Sequence, residues 1–416
     1  MEIPQKVGYI IDRLMKNGYE AYAVGGCVRD SLLGRLPGDW DITTSASPAE
    51  IKRLFRRTVD TGILHGTVTV MLDKEGFEVT TYRIDGEYED SRHPKEVMFT
   101  TNLLEDLKRR DFTINAMAYN PSAGLVDAFE GIADIKKKQI RCVGKAEERF
   151  GEDALRILRA VRFSAQLGFA IEEETKNAAK TLGYTLKNIS RERIRCELDK
   201  LLMSDNPDFV DELNSLSLVR HIFTQDIIIN QQTLRMLKYT PKDRLLRWTA
   251  FLEAAGTREN AYAIMRGLKF DNYTTDSVTK LTGWLDLEIV PDKPSVRRTV
   301  NMVGGELFPV LAEAKRAFYK SMPDSEQGVA QRLLEELMQT EKLYEEIIAD
   351  GDCLFLKQLA VGGKDIMNAG LAEGKEIGEL LKRLLDIVLE SPEKNKKEIL
   401  LAEAEKYRKN EDGSNC

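Results

Sequence analysis

Two aspartates separated by one residue, Asp39-Trp40-Asp41, are the first place in this chain where side chains could do chemistry. Alternate residues of a strand share a face, so on a strand both carboxylates point the same way and both can ligate a divalent cation. That pairing suits metal-assisted phosphoryl transfer, in which two ions about 3.5 to 4 Å apart stabilise the attacking and leaving oxygens. It also occurs on plain solvated strands. Upstream, Val24-Gly25-Gly26-Cys27-Val28-Arg29-Asp30 runs from a strand through two glycines into a helix. Paired glycines let backbone approach a triphosphate closely, the helix start offers free N–H donors, and Arg29 adds a charged fork. A simple tight turn is the alternative. Glu78, in the β-rich run Phe77 to Ile84, is a third carboxylate from a neighbouring strand, or an exposed strand glutamate.

Further along stands Lys108-Arg109-Arg110-Asp111-Phe112-Thr113-Ile114-Asn115-Ala116. Arginine offers a rigid bidentate fork to phosphate, and an adjacent aspartate accepts well from a ribose hydroxyl. A site of this kind prefers NTP over dNTP; a surface salt-bridge cluster is the other reading. The stretch Glu152 to Phe163 has the spacing of one helix. At 100° per residue Glu152, Asp153, Arg156 and Arg159 share a face opposite Ala154, Ile157, Leu158 and Val161, with Arg162 at the edge. An Asp-to-Arg pair three residues apart decorates many surface helices. It can also act as a protein template for a base edge. Cytosine and adenine both show an exocyclic amine beside a ring-nitrogen acceptor, whereas uracil and guanine show a carbonyl beside a ring N–H. An aspartate acceptor next to an arginine donor therefore admits CTP and ATP and leaves UTP and GTP with unpaired polar groups.

The elements that must position these groups follow from periodicity. Pro4 to Asn17 reads as an amphipathic helix ended by Gly18, and Ala21 to Val24 as a short buried strand. Ser47-Pro48-Ala49-Glu50 is a capping box with proline at the first helical position, opening a helix through Phe55. Thr67 to Leu72 and Phe77 to Ile84 read as strands around the turn Asp73-Lys74-Glu75-Gly76. From about Ala146 the signals are nearly all helical, with interruptions near Ser204 to Pro207, Pro291 to Pro294 and Pro323-Asp324. The expected fold is thus α+β, a small mixed β-sheet followed by helical domains. At 416 residues, with 42% hydrophobic and 31% charged, the chain has material for more than one core. It has no apolar run long enough to span a membrane and no apolar signal segment, so no membrane association is expected and the cytoplasm is the expected compartment. Five scattered cysteines lack the close pairs of zinc sites or disulfide frameworks and read as reduced thiols. A net charge of −7 does not suggest nucleic acid. Basic residues nevertheless cluster at Lys52, Arg53, Arg56 and Arg57, at Lys136 to Lys138, and at Arg191, Arg193 and Arg195.

Taken together, Gly25-Gly26-x-x-Arg29-Asp30, Asp39-x-Asp41, Arg109 to Ala116, Glu152-Asp153-x-x-Arg156-x-x-Arg159-Ala160-x-Arg162-Phe163 and Ser190-Arg191-Glu192-Arg193-Ile194-x-x-Glu197-Leu198 resemble, in order and spacing, the motifs of class II tRNA nucleotidyltransferases. That family includes CCA-adding, A-adding and CC-adding enzymes and bacterial poly(A) polymerases. The resemblance covers about the first 200 residues, and Val361-Gly362-Gly363-Lys364-Asp365 is more weakly similar to the tail of shorter bacterial members. It implies a nucleotidyltransferase head (1–140), a neck carrying the base template (141–204), a helical body (205–305) and a helical tail that binds tRNA (306–416). It implies magnesium (Mg2+) on Asp39 and Asp41, triphosphate contacts from Gly26, Arg29 and Arg110, and a ribose motif at Asp111 and Asn115. Base reading falls to Asp153 and Arg156, with Arg159 and Arg162 as further nucleotide contacts. Gly25 and Glu152 join the nucleotide-binding set, and Glu78 joins the catalytic carboxylates.

Within the family, Asp85 to Pro94 resembles the flexible loop that CC-only enzymes lack, with His93 where many relatives carry a second arginine. CCA addition with CTP and ATP is the favoured activity, with A addition or poly(A) synthesis as alternatives. The acidic chain lacks the basic extension of the poly(A) polymerases. With only His65, His93 and His221 and no His-Asp dipeptide, it also lacks the mark of a phosphohydrolase domain. No Gly-x4-Gly-Lys-Ser/Thr motif supports a P-loop NTPase. A non-catalytic helical RNA-binding protein is the reading from another class. The helical tail serves either a homodimer or completion of the fold.

Overall fold

The computed structural model describes residues 1–86 and 97–412. Most of the expected loop, residues 87–94, lies outside the described residues. Contacts divide the chain into two units, Met1–Ile227 with Gly267–Lys269, and Ile228–Arg266 with Phe270–Cys416.

The first unit opens with α1 (Gln5–Lys16), whose buried stripe Val7, Ile10, Ile11 and Leu14 follows the 3.6-residue period. Strand β1 (Ala21–Val24) leads into α2 (Gly26–Leu32). After β2 (Ile42–Thr44) comes α3 (Pro48–Leu54), where Ser47 accepts from Glu50 N–H and the Glu50 carboxylate accepts from Ser47 N–H, closing the anticipated box. Then follow β3 (Thr58–Gly62), β4 (Thr67–Leu72) and β5 (Glu75–Thr81). A separate antiparallel pair, β6 (Arg83–Asp85) with β7 (Val97–Phe99), precedes α4 (Leu103–Lys108). Strands β8 (Ala118–Asn120) and β9 (Gly124–Val126) complete a seven-stranded sheet in the order β3-β4-β5-β2-β1-β8-β9. It is a mixed sheet: β2 runs parallel to β5 and the other pairs are antiparallel. Its core joins α1 and α3 to Ala21, Ala23, Ile42, Val68, Val70 and Val79, all but inaccessible to solvent.

In the sheet region three expectations change. The hairpin turn is tighter than the four residues anticipated: Asp73 and Lys74 take positive φ, and Glu75 and Gly76 already belong to β5. The run Phe77 to Ile84 is two strands, because Tyr82 is fully buried beside Val24, Leu103, Leu107 and Ala118 and the chain turns there into the smaller sheet. Asp39 and Asp41 lie just before β2, not within a strand.

Beyond α5 (Gly131–Lys137), strands β10 (Gln139–Ile140) and β11 (Ala170–Ile171) pair in parallel around α6 (Ala146–Glu152) and α7 (Leu155–Leu167). The single helix expected through Glu152 to Phe163 is therefore two. Asp153 breaks it with an extended backbone, φ −139° and ψ 104°, and its Oδ1 accepts the Leu155 N–H at 3.0 Å. A short acidic side chain offers the backbone an alternative to the helical ladder, and here that alternative wins. Two more helices, α8 (Glu173–Leu182) and α9 (Arg191–Leu202), bring the chain to the short turns before residue 227.

The second unit is helical among the described residues, from Gln231–Tyr239 and Arg244–Leu252 through the 24-residue helix Gln327–Asp350 to Glu376–Glu390 and Lys397–Asp412. Its core gathers Val296, Val300, Phe308, Leu311, Ile347, Leu384 and Val388. Two cations are buried in it. Arg297 ties Leu389 O and Glu390 O to Asp352, and Lys315 donates to Leu285 O and Leu287 O at 2.7 and 2.6 Å. Burial pushes the Lys315 amine down to about 8.

Candidate active site

Residues Gly38, Asp39, Asp41, Thr69, Phe77 and Glu78 line one cavity of about 910 Å³ on the first unit. The chain is held there from both sides of the sheet. Asp41 O accepts the Val24 N–H at 3.0 Å, and β2 pairs with β5 in the register Ile42 to Val79. Carried back one residue, that register sets Asp41 beside Glu78, so the two carboxylates face the same side. Loss of solvent pushes the Asp41 carboxyl up, Asp39 adds to the rise, and Arg110 opposes it. Glu78 rises for the same reasons, desolvation first, then the charges of Asp41 and Asp39. The cavity is thus rich in hard oxygen donors whose like charges repel, a donor set that suits magnesium or a similar divalent ion. Among the described residues no group of three or more His, Cys, Asp or Glu side chains is gathered tightly enough to hold a metal. The aspartate pair is the ligand set on offer.

Arg110 lies next to this pair. Gly25 has φ +81°, a backbone that favours glycine, and a Cβ there would come 3.0 Å from Arg110 Nη1 and displace that side chain. Arg110 makes one long contact, 3.5 Å to Asp106, and its Nε is buried with no partner among the described residues. Asp106 is wholly buried, accepts from Arg109 at 2.7 Å and from the Thr43 hydroxyl at 3.1 Å, and so anchors α4 to β2. Burial would push Asp106 up, but Arg109 and Arg110 outweigh it and hold the carboxyl below its usual range.

The remaining motif residues form a second, closed network. Arg29, 8% exposed, is spent on Asp30 and on Asn115 Oδ1 at 2.5 Å. Asn115 donates to Asp111 Oδ1 at 3.2 Å, and Asp111 Oδ2 receives Arg159 Nη2 at 2.6 Å. Burial opposes ionisation of Asp111, yet the Arg159 charge and its hydrogen bonds dominate and hold the carboxyl well below the normal carboxylate range. Arg162 pairs with buried Glu197 on α9 at 2.6 Å. The guanidinium carbons of Arg162, Arg29 and Arg159 lie 3.9, 5.1 and 5.4 Å from the centroid of the Phe163 ring. At the helix break Glu152 takes Arg156 and Arg149, both at 2.6 Å, while Asp153 takes Arg193 at 2.8 Å. Arg156 also donates to Arg109 O at 3.0 Å, linking α7 to the segment that carries Arg110.

Sequence reasoning assigned no role to Phe163, Asp106 or Thr43. The spacing of Asp106 three and four residues before Arg109 and Arg110 carries a detectable signal, and Phe163 closes a motif of the resemblance without a role of its own; nothing local marks Thr43. Some of the clustered basic residues have partners in the fold: Lys52 pairs with Asp60 at the surface, Arg191 donates to Ile222 O, and Arg195 to Lys269 O. Cys27, Cys142 and Cys353 are buried free thiols and Cys196 is an exposed one. Among the described residues no helix is long and apolar enough to cross a membrane.

A mixed sheet presenting paired carboxylates beside an arginine and a diglycine turn is the arrangement of a nucleotidyltransferase. Family models match in the same order along the chain: the poly(A) polymerase head domain over residues 21–141, the "Probable RNA and SrmB- binding site of polymerase A" over 168–225, and tRNA nucleotidyltransferase domain 2 over 239–404. A CCA-adding enzyme of Leuconostoc citreum is 37% identical over 97% of this chain and 96% of its own length. Another, from Enterococcus faecalis, is 36% identical over 96% of this chain and 95% of its own. The crystal structure of the Bacillus stearothermophilus CCA-adding enzyme in complex with CTP superposes with a TM-score of 0.81 at 32% identity, covering 99% of this chain and all of that one. The chain belongs to the CCA-adding enzyme family.

Proposed function

We propose that this chain adds CCA to the 3′ end of tRNA without a nucleic-acid template, drawing on CTP and ATP and releasing pyrophosphate, in the cytoplasm. One observation carries the chemistry. Asp39 and Asp41 share a cavity with like negative charges, beside Arg110, whose Nε is buried with no partner among the described residues. Asp39 and Asp41 would hold magnesium, which when bound would supply positive charge to offset that of the phosphates. Arg110 and the backbone at Gly25-Gly26 receive the triphosphate, with Arg29 fixed behind them by Asn115. Asp111 and Asn115 set the ribose side through the arginines bonded to them. Asp153 and Arg156 read the base, Glu152 orients Arg156, and Arg159 and Arg162 complete the nucleotide pocket. The CTP-bound Bacillus stearothermophilus relative supports this substrate class. Residues 1–140 would be the head, 141–204 the neck, 205–305 the body and 306–416 the tail that grips tRNA.

The test is to offer tRNA transcripts ending at the discriminator base, after one added C and after two, with CTP and ATP separately and together. Stepwise products that stop at CCA are expected. A-only products, or long A tails, would replace this reading with A addition or poly(A) synthesis. Asp153→Ala or Arg156→Ala should relax the choice of base; unchanged rejection of UTP and GTP would move base reading elsewhere.

A further inference from the structure

The Asp153 carboxylate is bonded twice within the protein. Its Oδ1 accepts the Leu155 N–H at 3.0 Å, and its Oδ2 accepts Arg193 Nη2 at 2.8 Å from helix α9, 40 residues further along. The other end of that fork, Arg193 Nη1, is buried with no partner among the described residues. We propose that Arg193 is a positioning residue for base selection, acting through Asp153; this rests on Asp153 reading the base.

A carboxylate at a helix break turns easily about its last torsion, whose energy profile is broad. One backbone N–H and one guanidinium, arriving from different elements, remove that freedom and present the carboxylate in one orientation. Each carboxylate oxygen accepts about two hydrogen bonds, so Oδ2 keeps one lone pair open. The exocyclic amine of cytosine or adenine donates to it. A uracil or guanine carbonyl meets an acceptor instead, and two buried acceptors face each other unsatisfied. Without Arg193 the carboxylate can swing away from that carbonyl and the mismatch eases. The unfilled Nη1 points the same way, since a buried donor without an acceptor is costly until something fills it.

Arg193→Met and Arg193→Lys in the full chain test this, measured as kcat/KM for CTP against UTP on a tRNA transcript lacking CCA. Arg193→Met should lower the CTP-to-UTP ratio on the order of tenfold, the worth of one charged hydrogen bond. Arg193→Lys, which keeps the charge and one donor, should recover part of it. Added to Asp153→Ala, Arg193→Met should change the ratio no further. If Arg193→Met slows CTP and UTP equally, the residue is merely structural and the proposal fails while base reading by Asp153 stands. If Asp153→Ala itself keeps full discrimination, the base-reading assignment fails and the proposal falls with it. Should Arg193→Met not fold, Arg193→Lys decides alone: an unchanged ratio overturns the proposal, and a loss of a few-fold supports it.

Discussion

Asp41 and Asp111 are the same residue type in one unit of one chain, and their surroundings push them in opposite directions. Asp41 sits among carboxylates in an open cavity, and desolvation with the charge of Asp39 drives its carboxyl up. Asp111 is closed in by Arg159 and Asn115, whose charge and hydrogen bonds overcome burial and drive its carboxyl down. The first meets only partial compensation, from Arg110; the second is bonded directly to an arginine and an amide. The two surroundings therefore shift one residue type in opposite directions, even where the sequence motif looks equally catalytic.

The sharpest way to break the contrast is Asp41→Ala. Incorporation of labelled CTP should fall at least about a thousandfold, since the ion it would hold supplies several kcal/mol of transition-state stabilisation. tRNA affinity and thermal midpoint should survive. Arg159→Met attacks the other site and should act on stability first. Breaking a buried pair costs about 3 to 5 kcal/mol, reduced here to about 2 to 3 because a third of the Arg159 side chain is exposed. Urea unfolding measures this, and a loss below 1 kcal/mol would show that Asp111 does not depend on Arg159.

Acid titration separates the two next. Because the folded Asp111 carboxyl lies below its unfolded value of about 3.9, its contribution is intact above that pH and is lost as pH falls through the folded value. Asp41 has the opposite sign: its ionised form is disfavoured in the fold, and protonation near or above the normal aspartate range relieves that cost. Activity should accordingly decline with falling pH before the fold does, which parallel assays of turnover and ellipticity would reveal. The smallest effect is Asp41→Asn, which should raise unfolding free energy by no more than about 0.5 kcal/mol while abolishing turnover, because the carboxylate remains solvent-accessible. An Asp41→Asn variant less stable than the parent would remove the repulsion argument.

Much of the frame was legible before any coordinates. Helix Gln5–Lys16, strand Ala21–Val24, strand Thr67–Leu72 and the capping box at Ser47 and Glu50 are local features, set by periodicity and by bonds spanning three or four residues. The break at Asp153 was not legible, because Leu155 to Leu167 continues the same apolar spacing and only the side chain's choice of the Leu155 N–H interrupts it. β3 and β9 were missed because they are short and bury no residue that would mark an apolar face, unlike β1 of similar length.

By itself the sequence determined which donors and acceptors exist and in what order: a glycine turn, a carboxylate pair, an arginine-aspartate motif and an acid-arginine helix. Only the tertiary structure decided which of them are spent. Arg159 reaches Asp111 across 48 residues and Arg193 reaches Asp153 across 40, while Asp39 and Asp41 face Glu78 of β5, with Arg110 opposing their charge. Charge compensation depends on distance in space and on exclusion of water, and neither is written in the spacing of residues along a chain.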